Sequence, residues 1–308
     1  MTDTIDPRRI ALIGFGEVGQ TFARGLLATG RHSVATYDIL FDNSAAGASL
    51  RETARALGVA AAATAETAAA GAQVVISAVT AASAFAVAQQ AGGYLKPGQF
   101  FLDINSVSPE TKRADAAAVE RSGAHYVEAA VMAPVAPYGL KVPMLLGGRE
   151  AAALAAILTP AGMAMEPVAT RIGEASAIKM CRSVMIKGIE ALAVECFMTA
   201  RRYGVEDRIV ASLDETFKPL SWEKLAGYLI ERVVRHGRRR AAEMREAAET
   251  VAAIGLEPLM TAATAQRQDW VADQADAAPQ LRGNREEDWR ATADGLLARL
   301  QKKADAAE

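Results

Sequence analysis

Cysteine, histidine and long apolar runs are what this chain of 308 residues has least of: two cysteines, three histidines and 6% aromatic residues. Cys181 and Cys196 fall within one expected helix, about 22 Å apart along its axis, beyond disulfide reach inside one chain. They read as core thiols of a reducing compartment. No metal site is expected. No apolar run approaches the ~20 residues of a membrane span, so no membrane partner is expected. The opening Met1-Thr2-Asp3-Thr4-Ile5-Asp6-Pro7 is acidic and lacks a basic-plus-apolar leader pattern, which makes the cytoplasm the expected location. A strong charge of one sign is missing too: the net charge of −2 gives no broad attraction to nucleic acid. The one basic cluster is Arg235-His236-Gly237-Arg238-Arg239-Arg240.

What is there is the balance of a folded protein, 51% hydrophobic and 23% charged, with room for two domains. The first half alternates short apolar runs with helical stretches. Ile10 to Ile13, Ser33 to Asp38, Gln73 to Val79, Phe100 to Ile104, Tyr126 to Val131 and Met144 to Leu146 read as strands. Helices are expected through about Leu27, over Leu50 to Leu57, 82 to 94 and 109 to 122, and the alanine-rich stretch Ala60 to Ala70 also favours helix. Such alternation calls for a doubly wound, mostly parallel sheet covered on both faces, an α/β Rossmann domain. Beyond about Pro167 strand-like runs stop. Glu174 to Tyr203 contains no proline, and Ile178, Cys181, Met185, Ile189, Leu192 and Cys196 recur at helical spacing. A helix of that length spans about 45 Å and reads as a spine into an all-α C-terminal domain. The expected domains are 1–167 and 168–308, with a last packing helix over about Asn284 to Leu300 and a frayed tail after Lys302.

Gly14-Phe15-Gly16-Glu17-Val18-Gly19 fits G-x-G-x-x-G between the first strand and its helix. Gly14 permits the tight turn, Gly16 lets a pyrophosphate approach the backbone, and Gly19 lets helix and strand pack closely. The helix N-terminus then offers free N–H groups and a positive dipole end. Asp38 ends the second strand, 24 residues after Gly14, where a carboxylate accepts from ribose hydroxyls and repels a 2′-phosphate. No Arg or Lys follows until Arg51. NAD is therefore expected over NADP.

Three further segments, in order, resemble the β-hydroxyacid dehydrogenase superfamily, which includes 3-hydroxyisobutyrate and 6-phosphogluconate dehydrogenases and, as divergent relatives, imine reductases. Asp103-Ile104-Asn105-Ser106-Val107-Ser108-Pro109 resembles the family's D-x-S-T-x-x-P loop; the resemblance puts Asn105 and Ser106 against substrate and nicotinamide, while Ser108 suits the N-cap of the next helix. Val79 and Thr80, at the end of the preceding strand, join the residues expected at the cofactor. Glu128 to Pro134 aligns with D-A-P-V-S-G-G, but Met132-Ala133-Pro134 replaces the Ser-Gly-Gly that serves a substrate carboxylate. Proline has no N–H to give, so a partly apolar pocket is expected there. Gly173 to Ser183 matches the catalytic helix, with Lys179 at the lysine position. Arg182 and Ser183 stand in place of the usual asparagines and share its helix face.

The resemblance implies hydride transfer between NAD(H) and a hydroxy acid or related alcohol. Lys179, on a helix expected to be largely buried, would be general base in oxidation and acid in reduction. Loss of CO₂ from a 3-oxo acid product is open. Arg182 is the nearest expected anion partner, with His236 and Arg239 as further contributors; a solvated basic face paired with Glu243 and Glu246 is the plainer reading of that run. Two rival functions stand beside this one. An imine reductase shares fold and cofactor, but many carry another residue at the lysine position and a basic loop for NADPH. A non-catalytic NAD-binding protein would not need the lysine and its polar neighbours. A homodimer through the C-terminal helices is expected.

Overall fold

The computed structural model describes residues 6–42, 45–217 and 220–305, so the frayed tail and the leader reading fall largely outside the described residues. The chain divides into two compact units, Met1–Lys179 and Met180–Glu308. Among the described residues no helix is long and apolar enough to cross a membrane.

The first unit runs β1 (Asp6–Ile13), α1 (Glu17–Ala28), β2 (Ser33–Tyr37), α2 (Ala46–Leu57), β3 (Ala60–Ala61), α3 (Ala65–Ala69), β4 (Ala72–Ser77), α4 (Ala81–Tyr94), β5 (Phe100–Asp103), α5 (Pro109–Glu120), β6 (His125–Val131), β7 (Met144–Gly147), α6 (Ala151–Leu158), β8 (Met165–Ala169) and then α7 (Glu174–Tyr203), which continues into the second unit. The sheet order is β3-β2-β1-β4-β5-β6-β7-β8. All neighbours are parallel except β6 and β7. Strand order reverses between β1 and β4, so a crevice opens at their carboxyl ends, the usual ligand position of such sheets.

The continuous apolar strands follow from burial on both faces. Ile10, Leu12, Val74, Ile76 and Leu102 pack to one side with Phe22 and Leu26 of α1. Their neighbours Ala11, Ile13, Val75 and Phe101 pack to the other with Ala88 and Ala91 of α4 and Val119 of α5. This is the period-two alternation of a strand, doubled.

Two local expectations are corrected. Ala60 and Ala61 pair with β2 before α3 begins, because the sheet edge offers them backbone partners that outweigh alanine's helix preference. Strand β8 adds Met165–Ala169 to the edge of the sheet beside β7, across the expected boundary at 167. The break between units falls instead after Lys179, since the start of α7 is hydrogen-bonded to Glu128 of the sheet.

The second unit comprises the rest of α7 with α8 (Glu206–Thr216), α9 (Trp222–Ala252), α10 (Leu259–Ala277) and α11 (Trp289–Asp305). Its core gathers Phe197, Ile230, Val233, Val271, Trp289 and Leu296. Gly237 lets α9 approach α10 closely, for a Cβ there would crowd the Gln268 carbonyl. The buried face of α7 carries Ser183, Lys187, Glu190, Val194 and Phe197. Cys181, Met185, Leu192 and Cys196 lie on its exposed face, correcting the reading of the cysteines as core thiols. The helix has two apolar stripes, and spacing alone does not say which one packs.

Candidate active site

At the crevice, Gly14 takes φ of +98°, and a Cβ there would run into the Ala78 backbone carbonyl beyond β4. A Cβ on Gly19 would strike the carbonyl of Gly14. These two glycines let β1, α1 and β4 meet. Gly16 differs, as a Cβ there has no protein atom within 4 Å. It is the N-cap of α1 without a side-chain cap, so the first-turn N–H groups of Glu17 and Val18 have no side-chain acceptor at that cap. Open space over uncapped amides fits a pyrophosphate. Phe15 points its ring into the core against Phe41, 6.4 Å between centroids, and meets this space with its backbone alone. Glu17 is exposed. Asp38 binds back to the turn: one oxygen accepts from Phe15 N at 2.7 Å and the other from Leu40 N at 2.9 Å. It therefore caps the loop, with lone pairs left for hydroxyl donors.

Across the crevice, Asn105 is a buried brace. Its Oδ1 accepts from Val79 N at 2.8 Å and its Nδ2 donates to Ser77 Oγ at 3.0 Å. Thr80 is exposed at the start of α4. The loop is held from below by Asp103, only 1% exposed, which accepts from Asn105 N at 2.9 Å and from the Tyr126 hydroxyl at 2.7 Å. Lys112 Nζ, equally buried, pairs with the same carboxylate at 3.0 Å and donates to the Asp103 carbonyl at 2.9 Å. Burial first, then the Asp103 charge, pushes the Tyr126 hydroxyl well above its ordinary value, keeping it a donor. Ser108 caps α5 by accepting from Thr111 N at 3.2 Å.

Lys179 donates to Ser106 Oγ, joining two segments 73 residues apart. It is half-buried rather than largely buried, since α7 exposes Ile178 beside it. One turn before it, the fully buried Glu128 carboxylate accepts from Gly173 N at 2.6 Å, Ala175 N at 3.2 Å and Ser176 N at 3.3 Å. A carboxylate at a helix N-terminus meets both the unpaired N–H groups and the positive dipole end.

The loop after β6 has its own partners. Met132 is half-buried and donates its N–H to Pro143 O at 2.9 Å, while Pro134 and Tyr138 are exposed. In the second unit, Arg182 is exposed and Ser183 is buried, accepting from Lys187 Nζ at 2.8 Å. Lys187 in turn pairs with Glu243 at 2.9 Å. Burial lowers the Lys187 ammonium below the ordinary lysine range, against the pull of Glu243. His236 and Arg239 are exposed on α9, with Arg239 3.7 Å from Glu243. Partial loss of hydration, then the charges of Arg239, Arg232, Arg240 and Arg235, lower the His236 imidazolium below its usual range.

Residues 9–106 match the family of NADP oxidoreductases described as coenzyme F420-dependent, and residues 200–271 match a domain of unknown function. An uncharacterized 28.5 kDa protein of Methanothermus fervidus is 30% identical over 260 residues, 83% of this chain and 96% of that one. A conserved hypothetical protein from Sinorhizobium meliloti is 41% identical, with 96% and 97% of the two chains covered and a TM-score of 0.77. A conserved protein of unknown function, described as structurally similar to 3-hydroxyacid dehydrogenases, is 33% identical over 88% of this chain and 98% of its own, with a TM-score of 0.70. The chain belongs to a divergent branch of the β-hydroxyacid dehydrogenase superfamily.

Within this superfamily chain, the sequence motifs bring Gly14, Gly16, Gly19, Asp38, Val79 and Asn105 to one crevice, and Ser106 to Lys179. Sequence reading missed what stands beneath them. Lys112, Tyr126 and the capping role of Glu128 carry no motif of their own; the available signal was charge at the ends of otherwise apolar strands, Asp103 after Phe100-Phe101-Leu102 and Glu128 within Tyr126 to Val131.

Proposed function

We propose that this protein is an NAD-dependent dehydrogenase acting on a hydroxy acid or related alcohol, with Lys179 as general base in oxidation and general acid in reduction. The observation that carries this reading is the Lys179–Ser106 hydrogen bond, made on the loop whose Asn105 braces Val79 next to Gly14. The nicotinamide, when bound, supplies the hydride acceptor. Gly16 and the first turn of α1 would hold the pyrophosphate, and Asp38 would meet the adenosine ribose. Lys179 takes the hydroxyl proton, Ser106 orients Lys179 toward it, and Asn105 keeps the loop at the depth of Val79. A 3-oxo acid product would allow Lys179 to assist CO₂ loss.

One observation favours NADP instead: the Arg51 guanidinium lies over the Phe41 ring, 5.6 Å from its centroid, on the segment following Asp38. Structures sharing the fold at 18% and 19% identity are complexes with NADPH and NADP⁺. Another favours a carbonyl or imine over an acid, because Met132 has already given its N–H to Pro143. Arg182, Ser183, His236 and Arg239 are the proposed groups for a substrate anion. The exposed Met185 and Leu192, 64% and 56% accessible, support a homodimer through the C-terminal helices; sedimentation as a monomer would contradict that.

The test is a turnover screen with NAD⁺ or NADP⁺ against hydroxy acids, and with the reduced cofactors against ketone–amine pairs. Oxidation of a hydroxy acid with NAD⁺, lost in Lys179→Ala, supports the reading. Turnover confined to C=N reduction, or none at all, overturns it.

A further inference from the structure

Asp103 and Glu128 are register partners on the parallel strands β5 and β6. Both carboxylates are buried, at 1% and 0% exposure. We propose that they act as a positioning pair: one fixes the loop that presents Ser106, and the other fixes the helix start that presents Lys179. The inference deepens the reading of Lys179 as the proton-transfer residue and rests on it for its kinetic consequence.

The two halves are built differently. Asp103 is met by a cation, Lys112, and by two donors, Asn105 N and the Tyr126 hydroxyl. Its position sets Asn105, and through it the next residue, Ser106. Glu128 forms no ion pair among the described residues and is answered by three helix-start N–H groups. Those donors define the rotational phase of the first turn of α7. Lys179 follows Ser176 by three residues, so it lies one turn along the same face.

Room for the Glu128 carboxylate comes from the strand beyond. Gly147 faces Glu128 across the antiparallel pair, and a Cβ on it would collide with Oε1. Both carboxylate oxygens accept from the helix start, whereas a glutamine would turn its Nε2 donors toward one of these N–H groups. Adjacent strands thus hold both ends of the Lys179–Ser106 hydrogen bond at one register level. The inter-strand hydrogen bonds set their spacing at ~4.8 Å. A displacement of about 1 Å at a reacting group costs on the order of 100-fold in rate.

The experiment compares Glu128→Gln, Tyr126→Phe and Gly147→Ala with wild type in the full chain. Two readouts are taken: the Lys179 side-chain NMR signal in lysine-labelled protein, assigned with Lys179→Arg, and the split between kcat and cofactor KM. The expected result is a Lys179 signal moved in the direction seen for Ser106→Ala. With it, kcat falls about 10- to 100-fold while cofactor KM stays within about twofold. A merely structural role would lower stability and leave the Lys179 signal of the folded variants in place, which overturns the proposal. If Glu128→Gln fails to fold, Tyr126→Phe and Gly147→Ala decide, since both leave the Glu128 carboxylate and its three N–H donors present; an unmoved signal in both overturns it. If wild type turns over nothing, the dehydrogenase reading fails, and the Lys179 signal alone decides the positioning pair.

Discussion

Gly14→Ala and Gly16→Ala change the same atom count two residues apart and should have opposite consequences. At Gly14 the added methyl meets a φ of +98° and the Ala78 carbonyl, backbone that cannot swing aside. The conformational penalty is about 1–2 kcal/mol and the overpacking about 1–3 kcal/mol, together roughly 2–5 kcal/mol. For a unit of this size each kcal/mol lowers Tm by about 2–4 °C, so Gly14→Ala should melt on the order of 10 °C below wild type. At Gly16, φ is −71° and an added Cβ meets nothing within 4 Å beyond its own chain neighbours. The loss of a good N-cap costs up to about 1 kcal/mol, and the stiffer unfolded chain returns about 0.4–1 kcal/mol, leaving the fold nearly unchanged. The methyl does stand where the pyrophosphate is placed. Losing one or two hydrogen bonds to a charged group, about 1.5–3 kcal/mol, weakens binding roughly 10- to 100-fold. Calorimetric melting and isothermal titration of NADH on the two variants measure both effects. Wild-type NADH affinity in a normally folded Gly16→Ala would refute the placement of the cofactor on this turn.

Three further outcomes follow from the charges. Glu190, fully buried against Arg240 at 2.6 Å and Arg232 at 3.2 Å, should not tolerate Glu190→Gln: stranding the Arg240 guanidinium costs about 3–5 kcal/mol, read as a lower urea midpoint, and a loss below about 1 kcal/mol contradicts it. Because burial depresses the Lys187 ammonium, the folded state sheds its proton before the unfolded chain does; stability gains a rising component as pH climbs toward the ordinary lysine value of about 10.4, and Lys187→Met should flatten that component in pH-dependent urea melts. Asp38→Ala should weaken NADH about tenfold while narrowing its advantage over NADPH, and a wild-type Kd tighter for NADPH contradicts the role given to Asp38.

The sheet and the site were legible in the sequence to different depths. Strands buried on both faces announce themselves as apolar runs, and glycines forced by close backbone contact, such as Gly14 and Gly19, leave a spacing that can be read directly. The long helix 174–203 was visible from its lack of breakers, yet which of its stripes packs was not, because Cys181, Met185, Leu192 and Cys196 are as apolar as the face that is buried. The edge strands β3 and β8 escaped because their sequences, two alanines and Met165-Glu166-Pro167, are weak in isolation and owe their form to neighbours. The supports under the site, Lys112, Tyr126 and Glu128, were hidden for the same reason: their roles arise from partners on other elements, 9, 23 and 45 positions away.

The most direct test of the account is single-turnover hydride transfer in Lys179→Ala, with the cofactor affinity of the same variant measured alongside. The account predicts that NADH binds within about twofold of wild type while hydride transfer slows about 10²- to 10⁴-fold, the usual worth of a general acid–base. A Lys179→Ala protein that transfers hydride at the wild-type rate would contradict it.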